Sequence, residues 1–94
     1  MAHEPRDFHG PHVEPPLPGH LRLTWYEPTR RAPRIRVVSH TCECRGTTYE
    51  LCGAAGQGFV RRTDREKQTV HETAWTVTAT ARRTFEQILR GEAR

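Results

Sequence analysis

Beyond position 33 the apolar residues of this chain follow two rhythms, one of period two and one close to period 3.6. "RIRVVSHTCECR" is rich in β-branched residues as far as Thr41, and "TYELC" places Tyr49 and Leu51 on one side of an extended chain. With Gly46 between them, these stretches predict a β-hairpin over 34–45 and 48–53. "FVRRT" and "TVHETAW" flank the polar tip "DREKQ" and predict a second hairpin. The intervening "GAAGQG" has three glycines in six residues and is expected to be a flexible connection or a bulged bend. It lacks the Lys and following Ser/Thr of a phosphate-binding loop.

The rhythm then lengthens. In "TATARRTFEQILRGEAR" the apolar residues Ala81, Phe85, Ile88 and Leu89 recur at i, i+4, i+7 and i+8. This predicts a C-terminal helix with Thr78 as N-cap and Gly91 as the stop. Arg82 with Glu86, and Glu86 with Arg90, stand four apart on its solvated side, and Arg62 is expected opposite Glu72 in the second hairpin. The fold class expected is α+β: a small antiparallel β-sheet of about four strands in two hairpins, packed against one C-terminal α-helix.

Upstream the pattern fades. All seven prolines lie in the first 33 residues. Residues 1–20 hold His3, His9, His12 and His20 and almost nothing apolar, so they are expected to form a disordered Pro/His-rich tail. Residues 21–33 read as an extended arm with Leu21, Leu23 and Trp25 on one side, and 34–94 as the folded domain. Tail histidines suit Ni²⁺ or Cu²⁺, but a flexible segment supplies no fixed geometry, so no site is assigned there. A folding unit of about 60 residues buries a modest core, and domains of that size often recruit a metal, a disulfide or a second subunit.

Charge adds a direction. The net charge of +4 is uneven: residues 21–65 carry nine arginines against four acids, whereas residues 1–20 sum to −2. A basic central block with no accompanying apolar helix points to a polyanionic partner, nucleic acid before membrane. Arg30, Arg31, Arg34, Arg36, Arg61, Arg62, Arg65 and Lys67 are the candidate contacts to nucleic acid, DNA favoured. Arg outnumbers Lys 14 to 1, as GC-rich coding would also produce. The alternative is a protein-interaction module, a homodimer through sheet edges included. There is neither a long apolar run nor a signal-peptide core at the N-terminus, so a cytoplasmic protein is expected.

Three cysteines make an odd count, against a complete intramolecular disulfide framework. On an extended strand His40, Cys42 and Cys44 would share one face, about 6.5 to 7 Å apart, too straight a row for one tetrahedral ion. A bend at Glu43 would bring them together, and Cys52 on the returning strand would join if Cys42 pairs with it. Structural zinc on His40, Cys42, Cys44 and Cys52, a cross-strand disulfide, and simple buried thiols therefore all stand as readings, the last being the default. No cofactor other than that zinc is expected.

"HETAW" has no second His four residues on and lies in an expected strand, which excludes the metalloprotease helix, and no carboxylate pair stands out. The expectation is a protein that is not an enzyme. The layout of the last 46 residues, "TYELC", "FVRRT", "TVHETAW" and "TATARRTFEQIL", resembles the small DNA-binding domains of the AP2 and integrase arm-binding kind. Trp75 stands where the aromatic before their helix stands, and Ala81 in the small packing position. The resemblance implies that the sheet face away from the helix meets DNA, offering Arg61, Arg62, Arg65 and Lys67, with "TRRAPRIR" as a basic arm.

Overall fold

The computed structural model describes residues 10–28 and 34–94. Four strands, β1 (Arg36–His40), β2 (Thr47–Ala54), β3 (Gln57–Asp64) and β4 (Thr69–Glu72), precede one helix, α1 (Thr78–Leu89). They form one antiparallel sheet in the order β1-β2-β3-β4, so the α+β class expected from the pattern is the one found. Among the described residues no helix is long and apolar enough to cross a membrane.

The glycine-rich run forms a tight hairpin turn rather than a bulge. Ala54 pairs with Gln57, leaving Ala55 and Gly56 as a two-residue turn, both with positive φ (51° and 76°). Two consecutive left-handed residues match the right-handed twist of the flanking strands. The longest pairing in the sheet, β2 with β3, springs from this turn. The register sets Arg61 opposite Glu72 and Arg62 opposite His71, one residue away from the expected Arg62–Glu72 pair. Strand β1 stops at His40, five residues before its expected end, because Thr41 closes the ladder on Tyr49 and the Cys42 amide donates to Pro11 O instead (3.0 Å). Cys42 is therefore not paired with Cys52, whose β1 partner is Val37. A bulge at Val38 then leaves Ile35, Val37 and Val38 partly exposed along the sheet's outer strand.

Helix α1 buries Ala81, Phe85 and Ile88, with Leu89 half-buried, as its spacing predicts. Its N-cap is Val77, which makes no side-chain cap bond, and Thr78 is the first helical residue. Gly91, at φ 77°, ends it: the Gly91 amide donates to Ile88 O and the Glu92 amide to Gln87 O, a Schellman stop. Arg90 pairs with Glu92 (3.1 Å) rather than back to Glu86.

Residues 10–20, expected in the disordered tail, instead run along the end of the helix. The Glu14 amide donates to Leu89 O, Leu17 to Gly91 O, and Leu21 and Leu23 to Glu92 O and Arg94 O. The reason lies in the backbone. Glu14 meets Leu89 O, one of the last carbonyls that a helix end leaves without partners, and the other donors meet carbonyls of the segment just beyond the helix, so this stretch is held with little apolar burial of its own. Leu23 and Trp25 pack on the core as expected, whereas Leu21 is exposed.

Strand alternation splits the core between two faces. Tyr49, Leu51 and Val60 meet the helix, where Gly58 lies so close that a Cβ there would come within 2.9 Å of the Ala81 Cβ. On the opposite face Cys52 and Phe59 are fully buried under Trp75, which stacks on Phe59 at 4.7 Å.

Candidate functional site

The helix packs against β3 and β2 but not β1. A narrow helix on a wider sheet leaves a groove above the outer strand. At the β-turn end the groove is a cleft of about 420 Å³ lined by Arg34, Arg36, Val38, Gly53, Thr78 and Arg82, among others. It continues past Val38, Leu51 and Arg82 into a second cleft of about 460 Å³ that reaches Glu86 and Leu89. Among the described residues, three arginines and no acid line the first cleft. Among the described residues none of these three pairs with a carboxylate. The Arg36 Nη2 lies 3.5 Å from where a Cβ on Gly53 would stand, so the guanidinium rests on the cleft floor. The helix begins at the same place, with no acid in its first turn and no side-chain cap, so its unpartnered amides add positive potential.

The other candidate cations are arranged differently. Arg61, on the face away from the helix, donates from Nε to Glu50 Oε1 at 2.7 Å, both side chains being largely buried. Arg62 lies on the helix face, its guanidinium 4.3 Å above the Trp25 ring. Arg65 donates to the carbonyls of Glu43 and Arg45, fastening the β1–β2 loop to the β3–β4 turn. Lys67 is exposed in that turn. The face away from the helix is thus no open cationic surface: it carries the Phe59–Trp75 stack, the Glu50–Arg61 pair, and Glu72, which accepts the Trp75 indole N–H at 2.8 Å. Arg30 and Arg31 lie outside the described residues. Arg82, at the groove, was missed in the sequence because an arginine four residues before a glutamate reads as an ordinary solvated pair; the groove itself depends on which strands the helix covers.

The cysteines separate into two environments. The chain turns at Glu43 and Cys44, which brings the Cys44 amide to 3.4 Å from Cys42 Sγ. His12 Nε2 stands 3.2 Å from Cys44 Sγ, and the donor atoms of His12, Cys42 and Cys44 all lie within 4.8 Å of one another. His40 turns away to the Thr41 carbonyl, and Cys52 is buried with Phe59 and Trp75 on the sheet, so two of the four expected zinc ligands lie elsewhere. The three thiols are free. Hydrogen bonding with Cys42 is the leading cause that holds the Cys44 thiol above its ordinary range. Burial pushes the Cys52 thiol up to about 11, a group inert as a nucleophile. Nothing in the sequence around His12 fixes its geometry, since its place beside the cysteines comes from the backbone contact between Pro11 and Cys42.

No family model matches this chain, and neither a curated protein nor a solved structure matches it.

Proposed function

We propose that the protein binds nucleic acid through its phosphate backbone, with the groove between β1 and the N-terminal end of α1 as the seat. The observation that carries this reading is the first cleft: Arg34, Arg36 and Arg82 line it with no acid among its walls and no carboxylate partner among the described residues. A guanidinium held by a glutamate contributes little to an incoming phosphate, because the salt bridge must first be broken. By that reasoning Arg61 is a structural residue and the groove arginines are the functional ones. The layout resemblance to AP2-type domains would place the contact on the face away from the helix, but there Arg61 is held by Glu50 and Arg62 lies on the opposite face, which favours the groove. Phosphate contacts of this kind position a duplex or a single strand and carry no base readout.

Fluorescence anisotropy of a labelled DNA duplex tests the reading. Three phosphate contacts give a log–log salt slope near −2.7, so affinity falls about 40-fold between 50 and 200 mM salt. The Arg34→Ala/Arg36→Ala/Arg82→Ala triple variant loses retention, and an Arg61→Ala/Arg62→Ala variant that stays folded keeps it. Absence of retention at 50 mM salt, or equal retention by the triple variant, sinks the proposal. Concentration-dependent self-association blocked by charges at Val37 and Val38, in a protein that ignores DNA, would replace it with an edge-strand interaction module.

A further inference from the structure

A second site stands apart from the groove, and its case does not depend on nucleic-acid binding. Tetrahedral coordination with sulfur at about 2.3 Å and nitrogen at about 2.0 Å sets donor atoms roughly 3.5 to 3.8 Å apart. The donors of His12, Cys42 and Cys44 already lie within 4.8 Å of one another, so side-chain rotations alone bring them onto one ion. We propose that these three residues form a site for a thiophilic divalent cation, Zn²⁺, which fastens the N-terminal segment to the loop between β1 and β2.

Three features hold the loop in the required shape before any ion arrives. The Cys42 amide is tied to Pro11 O at 3.0 Å, one residue from His12, so the same backbone contact that ends β1 delivers the imidazole to the thiols. The Cys44 amide donates to Cys42 Sγ at 3.4 Å, which holds the turn that brings the two thiols together. From the far side Arg65 grips the carbonyls of Glu43 and Arg45, while its own amide donates to Gly46 O at 2.9 Å. The turn carrying both cysteines is therefore clamped at each end.

The donor set selects the ion. Two thiolates and an imidazole disfavour Mg²⁺ and Ca²⁺, which take oxygen, and suit a soft or borderline cation. Cys42 is buried, whereas His12 and Cys44 are exposed, so the fourth position lies on the solvent side of the loop. Such a staple closes the 30-residue span from His12 to Cys42 and suits a small domain with a modest core.

The full chain, reduced and stripped with a chelator, is titrated with Co²⁺ and then Zn²⁺. The expected result is one equivalent of cobalt with the intense visible absorption of tetrahedral thiolate coordination, bleached by equimolar zinc. His12→Ala and Cys44→Ser, both at exposed positions that do not threaten the fold, each lose about tenfold or more in affinity. His40→Ala and Cys52→Ser bind as the parent does. Hydrogen-exchange protection of residues 12–17 rises on zinc binding in the parent and not in His12→Ala. Substoichiometric or octahedral cobalt, unchanged affinity in His12→Ala, or a loss in Cys52→Ser equal to that in Cys44→Ser would overturn the assignment.

Discussion

The groove beside β1 and the face across the sheet from α1 carry similar residue types and use them in opposite ways. In the groove, Arg34, Arg36 and Arg82 surround a cleft and make no carboxylate pair among the described residues. Across the sheet, Arg61 is held by Glu50, and the surrounding surface is given over to the Phe59–Trp75 stack and the Glu72–Trp75 hydrogen bond. The difference teaches that a count of arginines does not measure a binding surface. A guanidinium packed against a carboxylate or a ring contributes to stability, and one in an acid-free cleft is available to a ligand.

Stability measurements sharpen the contrast. Arg61→Ala leaves the partly buried Glu50 carboxylate without its guanidinium and is expected to cost about 1–2 kcal/mol, read as a lower urea midpoint at unchanged slope. Arg62→Ala removes the cation from the Trp25 ring and costs about 0.5–1 kcal/mol. Each single alanine variant at Arg34, Arg36 or Arg82 stays within about 0.5 kcal/mol of the parent. If Arg36→Ala or Arg82→Ala proved as costly as Arg61→Ala, the division between structural and available arginines would collapse.

The smallest effect concerns the thiols. Burial raises the Cys52 thiol from its ordinary 9.0 to about 11, so the folded state favours the protonated form. That contribution is fully present below pH 9.0 and is lost as pH rises through about 11. Over this window the parent should lose stability more steeply than Cys52→Ala, in urea midpoints taken at each pH. Parallel curves would show that Cys52 does not titrate as its surroundings dictate. Alkylation under native conditions should strike the exposed Cys44 first and leave Cys52 unmodified.

Local patterns decided the elements of this protein. The spacing of Ala81, Phe85, Ile88 and Leu89 specified the helix and its buried stripe, and alternation around Tyr49, Leu51 and Val60 specified strands, because both periods are properties of a few consecutive residues. What tertiary structure alone decided involves partners distant in sequence. The register that sets Glu50 against Arg61 depends on a turn made by Ala55 and Gly56, where an alanine with positive φ gives no warning of its conformation. Ordering of residues 10–20 depends on the carbonyls of Leu89 and Gly91, at and just beyond the end of a helix some seventy residues later, and backbone donors leave no trace in side-chain pattern. For the same reason His12 meets Cys44 across 32 residues, while His40, two residues from Cys42, turns away. Proximity along the chain suggested one set of ligands, and the packing of backbone against backbone assembled another.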